Sequence, residues 1–459
     1  MTNAASGIKI LSLLNILRWD CAMKTKEELK KMVCEAIDAR RDEIIAFADS
    51  VAAEPELGFK EFKTSEKFAS ILKTLGREPR TGVAGTGVVD AYQGKQSGIR
   101  VAVMGELDAI LVADHPDADK VTGAVHACGH NAQLASIAAI AFALHDTDLM
   151  ENLDGDIVLM GVPAEEFVEI TYRNKRREEG KQWFLGGKQE FIRLGEFDDI
   201  DISVMQHSSV MEPGFKAGAS SVCTGFTTKL VNYKGKAAHA GAAPFEGVNA
   251  LNAAMLGLMA VHAQRETFRD EDHIRVHPII TKGGDIVNVV PADVRIETYV
   301  RGSSVEAIMG ASEKVNRAFR AGADAVGAEC EIIELPGYLP VVQCDELNDL
   351  MYNELKALIG DDVLKICPGF GGGSSDQGDV SQLMPSIQSY FAGVTGGLHS
   401  KDFCMKDKEL TMITSAKALL CLVIELLYDG AKTGKKIKEG FKPVLTKEEY
   451  LRDWGRLEL

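Results

Sequence analysis

Basic residues are in the minority in this chain: 51 Lys and Arg stand against 67 Asp and Glu, leaving a net charge of −16. The acidic residues are scattered through predicted helices, and no basic stripe is present for a polyanion to follow, so no nucleic-acid partner is expected. Aromatics make up only 7% of a chain that is 46% hydrophobic, an ordinary globular balance at 459 residues. A long uninterrupted apolar run is also lacking. The most apolar stretch, Leu419 to Tyr428, is broken by Glu425 and reads as a core helix, so no membrane partner is expected. The nine cysteines have no regular spacing and mostly sit in apolar segments, which argues for reduced thiols and a cytoplasmic location. Residues 1–22 contain a short apolar run with a single preceding lysine and no small-residue cleavage pattern, so they read as an extension and not as a signal peptide. Repeats and low-complexity segments are absent from the sequence.

What is present is an alternation of strands and helices. Apolar positions Met32, Val33, Ile37, Ile44, Ile45, Ala48 and Val51 recur at helical spacing until Pro55 and Gly58. "IRVAVMGELDAI", "GDIVLMGVPAEE" and "DISVMQH" are short apolar runs that each end in polar, metal-capable residues. Strands of this kind separated by helices predict an α/β sheet whose carboxyl edge carries a site. From near Ser220 the order becomes strand, helix, two strands, helix, strand, which is that of a ferredoxin-like unit. The expected division is 1–22 as an extension, 23–218 and 335–459 as the two parts of a larger domain, and 219–334 as a smaller one inserted in it.

The candidate chemistry begins at "HACGHN". Cys128 and His130, two apart across a glycine at a predicted helix start, can face one metal ion. A buried cysteine with satisfied histidines, or a Cys/His nucleophilic pair, would leave the same trace. Glu165 and Glu166 follow a strand end. Adjacent carboxylates cannot share one direction, so one can bind metal while the other moves protons, although a solvated acidic turn looks the same. His207 at its strand end and His399 in "GGLHS" extend the set to several candidate ligands at strand or loop ends.

"AEPELGFKEFKTS", "GELDAI", "HACGHNAQLA", "PAEE", "GKAAHAGAAPFEGVNAL", "GGDIVNVVPADVRIETYVR" and "GGLHS" occur in that order. Together they resemble the aminoacylase/carboxypeptidase family of metal-dependent amidohydrolases, and within it the branch of aminobenzoyl-glutamate hydrolase and related dipeptidases. The resemblance implies a mixed-sheet, metallopeptidase-like catalytic domain with an inserted ferredoxin-like α+β lid and dimerisation domain. It implies that Cys128, His130, Glu166, His207 and His399 bind two divalent ions, zinc or manganese. It makes Glu165 the general base on a metal-activated water, and His239 the donor to the scissile carbonyl from across a domain or subunit boundary. Asn288 and Arg301 match substrate-holding positions, Arg301 suiting a carboxylate. The implied partners are a small amide or dipeptide substrate and a second copy of the chain bound through the inserted domain.

The sequence departs from the family's pattern at Asn131, where an aspartate is common, at Glu106, and in the charged segment 167–188. That segment reads as a specificity loop or a solvated excursion. His126 is a candidate neighbour of the ligands or a structural histidine, and His115, His145, His262, His273 and His277 read as surface or core. Asp376 and Asp379 read as turn formers or substrate contacts. Two rival functions stand beside the hydrolase: a metal- or peptide-binding protein without turnover, and a cysteine hydrolase using Cys128.

Overall fold

"IRVAVMG" is apolar at every position because its strand is buried on both faces. In the computed structural model, which describes residues 24–367 and 372–456, Val101 and Val103 point into one core while Ala102 and Met104 point into the other. The same split holds for Ile157 and Leu159 against Val158 and Met160. The extension 1–22 lies outside the described residues.

The large sheet is built from β1 (Arg80–Val83), β2 (Gly87–Tyr92), β3 (Gln96–Glu106), β4 (Asp154–Val162), β5 (Ile202–Ser208) and β6 (Ala217–Ser220). The chain then leaves for a second sheet of β7 (Gly225–Lys234), β8 (Arg275–Val276), β9 (Ile279–Lys282), β10 (Asp293–Gly302) and β11 (Glu329–Pro336), and returns with β12 (Val363–Ile366) and β13 (Ser386–Phe391). The large sheet has the order β1-β2-β4-β3-β5-β13-β6-β12. It is mixed: β4, β3, β5 and β13 are parallel neighbours, while β2 pairs antiparallel with β4 and β6 antiparallel with β13. β13, which follows the inserted sheet in sequence, lies between β5 and β6.

One face of this sheet is covered by the helix His130–Asp146, whose residues are buried on every side from His130 to Leu144, as an all-round apolar helix must be. The apolar part of the C-terminal helix, Leu419 to Leu427, packs in the same core. By length and composition the stretch Glu409–Gly440 is apolar enough to cross a membrane, but 83% of its most apolar window is buried against the protein, as the core-helix expectation requires. The single N-terminal helix expected from periodicity is two, Lys26–Ala39 and Arg41–Ala52. The break falls at Arg40, whose guanidinium is held by Asp146 and Glu43 and lies over the Phe142 ring.

The second sheet runs β8-β10-β7-β11, with β9 also on β10, all antiparallel. Two helices, Ala250–Ala263 and Val305–Asp324, cover one face of it. They cross where Gly257 meets Gly322: a Cβ on Gly322 would stand 2.4 Å from the Gly257 nitrogen. The observed architecture is therefore the expected α/β fold with a ferredoxin-like inserted unit.

Candidate metal centre

Gly129 caps the helix His130–Asp146 with φ +87°, a conformation that penalises any Cβ, and a Cβ there would also meet Ser208 at 2.9 Å. This turn sets Cys128 on one side of the helix start and His130 on the other. His130 Nδ1 lies 2.9 Å from the Asp108 carbonyl and His207 Nδ1 lies 2.6 Å from the Ser208 carbonyl. A carbonyl only accepts, so both Nδ1 atoms carry the proton and both Nε2 atoms present a lone pair.

Those lone pairs converge. Cys128 Sγ is 3.4 Å from His207 Nε2 and 3.2 Å from His399 Nε2, and His399 Nε2 is 3.0 Å from Glu166 Oε1. Cys128, His130 and His207 form one group of donor atoms within 4.8 Å of each other, and Cys128, Glu166 and His399 form a second. The sulfur is common to both. His130 Nε2 and Glu166 Oε1 are buried and make no aligned hydrogen bond, yet each has another donor atom only 3.0 Å away, Glu106 Oε2 and His399 Nε2 respectively, the crowding expected of atoms that share a cation. A thiolate, three imidazoles and a carboxylate suit zinc or manganese, so the residues fit a pair of divalent ions.

Glu165 points into the same space. Its Oε2 is 3.9 Å from His130 Nε2, and burial, with Glu106, Glu166 and Asp376 nearby, holds its carboxyl well above the usual range. Burial also raises Glu166, but the His399 contact outweighs it and keeps that carboxylate below its ordinary value. Two adjacent glutamates are thus pushed apart in acidity, the arrangement that separates a proton carrier from a ligand. Burial and Glu166 push the Cys128 thiol well up, which does not favour a free thiolate nucleophile.

The backbone of this corner is strained. Ala164, just before the glutamates, has φ +56°, and His399 has φ +58°. Glu61 Oε1 accepts the Ala164 N–H at 2.8 Å, and Arg173 Nη1 donates to the Ala164 carbonyl at 3.3 Å and the Leu185 carbonyl at 2.7 Å. Asp108 Oδ2 accepts the Glu166 N–H at 2.9 Å. Beneath the site, Lys188 is fully buried between Glu106 at 2.6 Å and Asp376 at 2.5 Å, and Glu106 reaches His130 Nε2 at 3.0 Å.

Several expectations change here. Segment 167–188 is a solvated excursion only in part: it holds the helix Ile170–Glu178 and is exposed from Glu178 to Lys181, while Arg173, Phe184, Leu185 and Lys188 are all buried. Asp376 and Asp379 are also buried and serve as internal acceptors, Asp376 for Lys188 and Asp379 for Gln189 and Tyr450. Asp376 also stands at the turn that opens the short helix Gln377–Ser381, and neither residue is among those that line the cleft. His126 is buried with both ring nitrogens unpartnered, and burial drives its pKa down to about 3, so it is neutral. His115 is a core histidine bonded to the Phe403 carbonyl.

A cleft of about 240 Å³ opens over the cluster, lined among others by Glu165, Glu166, Ser374, Ser375, Gln388 and Tyr390. Arg301 borders it, donating from Nη1 to Ser374 Oγ at 2.8 Å. His239 and Asn288 do not line it. They lie together on an exposed rim of the inserted unit, where the Ala240 N–H donates to the Asn288 carbonyl at 3.0 Å. Lys188, Glu61 and Arg173 went unmarked by the sequence, since a charged residue whose partner is distant in the chain leaves no local pattern.

Residues 102–424 match peptidase family M20/M25/M40. The chain is 27% identical over 445 residues to the Xaa-Arg dipeptidase of Mus musculus, covering 93% of this chain and 95% of that protein. It is 26% identical over 333 residues to the N-acyl-L-amino acid amidohydrolase of Geobacillus stearothermophilus, covering 70% of this chain and 82% of that one. Among solved structures, a dinuclear metal-binding peptidase of Bacillus subtilis superposes with a TM-score of 0.60 at 21% identity, covering 84% of this chain and 99% of that chain.

Proposed function

The chain belongs to peptidase family M20/M25/M40, and on that premise we propose that it hydrolyses the amide bond of a dipeptide, an N-acyl amino acid or an aminobenzoyl-glutamate-like compound at a site holding two divalent ions. As a family member it is a metal-binding hydrolase of C–N bonds. The observation that carries the finer reading is the position of Cys128 Sγ, between His207 at 3.4 Å and His399 at 3.2 Å, as the atom common to two donor groups. Cys128, His130 and His207 would hold one ion, and Cys128, Glu166 and His399 the other. Zinc or manganese bound there supplies an acidified water and a Lewis acid for the carbonyl.

The protein's own groups do the rest. Glu165, with its raised carboxyl, takes a proton from the attacking water and delivers it to the leaving amine. Arg301 holds the substrate's free carboxylate beside Ser374. Asn288 steadies the substrate, and His239 donates to the developing oxyanion. Because both stand on an exposed rim, we assign them to the site of a second copy. Support for such a homodimer comes from the apolar surface beside them: Met255 and Met259 on the helix, Ile279 and Ile280 on β9, and Ile286 and Val287 in the following loop are all exposed. The domain division 23–218, 219–334 and 335–459 and a cytoplasmic location belong to the same reading.

The test is release of free amine from a panel of N-acyl amino acids, aminobenzoyl-glutamate and dipeptides including Xaa-Arg, with zinc or manganese and again with chelator. Release from one group that chelator abolishes is expected. Glu165→Gln should lower kcat about 10²–10⁴-fold with the metal content unchanged. Full metal occupancy with no release from any member would favour the rival, a binding protein that has kept the fold.

A further inference from the structure

Along β10 the side chains alternate between two faces. Val294, Ile296, Thr298 and Val300 are buried beneath the two helices, which leaves Glu297, Tyr299 and Arg301 on the face toward the larger domain. Each of these three grips a different part of that domain. Thr171 Oγ1 donates to Glu297 at 2.6 Å, the Tyr299 hydroxyl donates to the Phe167 carbonyl, and Arg301 donates to Ser374 in the cleft wall at 2.8 Å. Arg301 also lies over the rings of Phe226 and Tyr299, at 5.0 and 5.5 Å.

The Phe167 carbonyl is one residue beyond Glu166. On the other side of Glu166, the Glu165 carbonyl accepts from the Tyr338 hydroxyl at 2.5 Å, and Tyr338 lies just after β11. Both carbonyls flanking Glu166 are therefore held by hydroxyls from the inserted unit or its exit. The Phe167 ring closes the joint, edge-on to Phe226, Tyr299 and Tyr338 at 5.1, 5.9 and 5.2 Å. Arg301 and Tyr299 are two residues apart on one strand, so a ligand that draws Arg301 inward carries Tyr299 with it.

We propose that the row Glu297–Tyr299–Arg301 couples binding of a substrate carboxylate at Arg301 to the alignment of Glu165 and Glu166, with Tyr299 as the positioning residue. This rests on the amidohydrolase reading only for the identity of the ligand. A carboxylate can take the guanidinium in a two-pronged contact beside Ser374, tightening the strand against both the cleft wall and the segment that carries the glutamates. A substrate without a carboxylate then loses turnover as well as affinity.

Hydrogen exchange on the full chain reads this directly, using N-acetylglycine and, as control, N-acetylglycinamide. In the wild type the acid, and not the amide, should slow exchange at residues 164–171 by about threefold or more, with protection at 372–376 as well. Tyr299→Phe keeps the ring and removes only the hydroxyl. It should retain protection at 372–376, lose it at 164–171, and lower kcat for a carboxylate-bearing substrate about tenfold with little change in KM. Tyr338→Phe should retain the acid-dependent protection at both places. Equal protection by acid and amide, no protection in the wild type, unchanged protection at 164–171 in Tyr299→Phe, or the same loss in Tyr338→Phe overturns the proposal. Acid-dependent protection in a protein that cleaves no amide would sink the assigned reaction and leave the coupling standing; cleavage without it would do the reverse.

Discussion

At the scale of single residues, the strained turn before Glu165 depends on groups that titrate. Glu61 is fully buried, accepts from Thr86 at 2.7 Å and from the Ala164 N–H, and burial, with Asp108 nearby, raises its pKa to about 7 from 4.5. A carboxyl raised on folding binds more protons in the native state than in the unfolded one between those two values. Its contribution is therefore present below about pH 4.5 and is lost as the pH rises to 7, by up to about 3 kcal/mol. Glu61→Gln keeps the Ala164 N–H contact on its carbonyl oxygen, lets its amide donate to the Thr86 hydroxyl in place of accepting from it, and removes the charge, so denaturant midpoints measured across that window should fall less in the variant than in the wild type. Equal slopes would show that the group ionises without penalty. Lys188 has the opposite role, a buried cation between Glu106 and Asp376. Lys188→Met leaves two buried carboxylates facing each other and should cost about 3–5 kcal/mol of stability in chemical denaturation. A change below about 1 kcal/mol would mean that the acids simply take up protons.

At the scale of elements, what was legible in the sequence was what lies close together in the chain. "HACGH" shows its turn, its helix start and two ligands within five residues, and the strand ends before Glu165 and at His207 are visible as apolar runs that stop. The segment after the glutamates was not legible. Its composition is that of a surface loop, with Arg173, Arg176, Arg177 and several acids, yet Arg173 is wholly buried and bonded to two backbone carbonyls. Burial of a charge is decided by partners far away: Lys188 meets Glu106 across 82 positions and Asp376 across 188. No periodicity encodes such a pair. In the inserted unit the helix Val305–Asp324 was predictable because it is amphipathic and β10 because its residues alternate, while the two-residue strand β8, a third strand between the helices where two were expected, was not. The interruption at Arg40 was missed because it follows from Asp146 and Phe142, on another helix.

At the scale of the whole molecule, the ligands lie in one chain while His239 and Asn288 stand away from them on an exposed rim. Mixing makes the proposed exchange between copies measurable. His239→Ala and Glu165→Gln variants, each inactive alone, should regain about a quarter of wild-type activity when unfolded and refolded together, because only mixed dimers carry one complete site. No recovery, with mixed dimers shown to form, would place His239 in its own chain's site. The order of strands in the large sheet has a further consequence, for synthesis. β13 pairs with β5 along Ser203 to Ser208, but between them in sequence comes the entire inserted unit. While the ribosome is still making that unit, β5 presents an open edge of apolar residues with nothing beside it. The small unit can fold in the meantime, since all its strands are contiguous in the chain. A nascent chain that stalls before Ser386 would therefore carry a folded appendage on an unfinished sheet with a bare edge, the form most prone to aggregate and most in need of a chaperone.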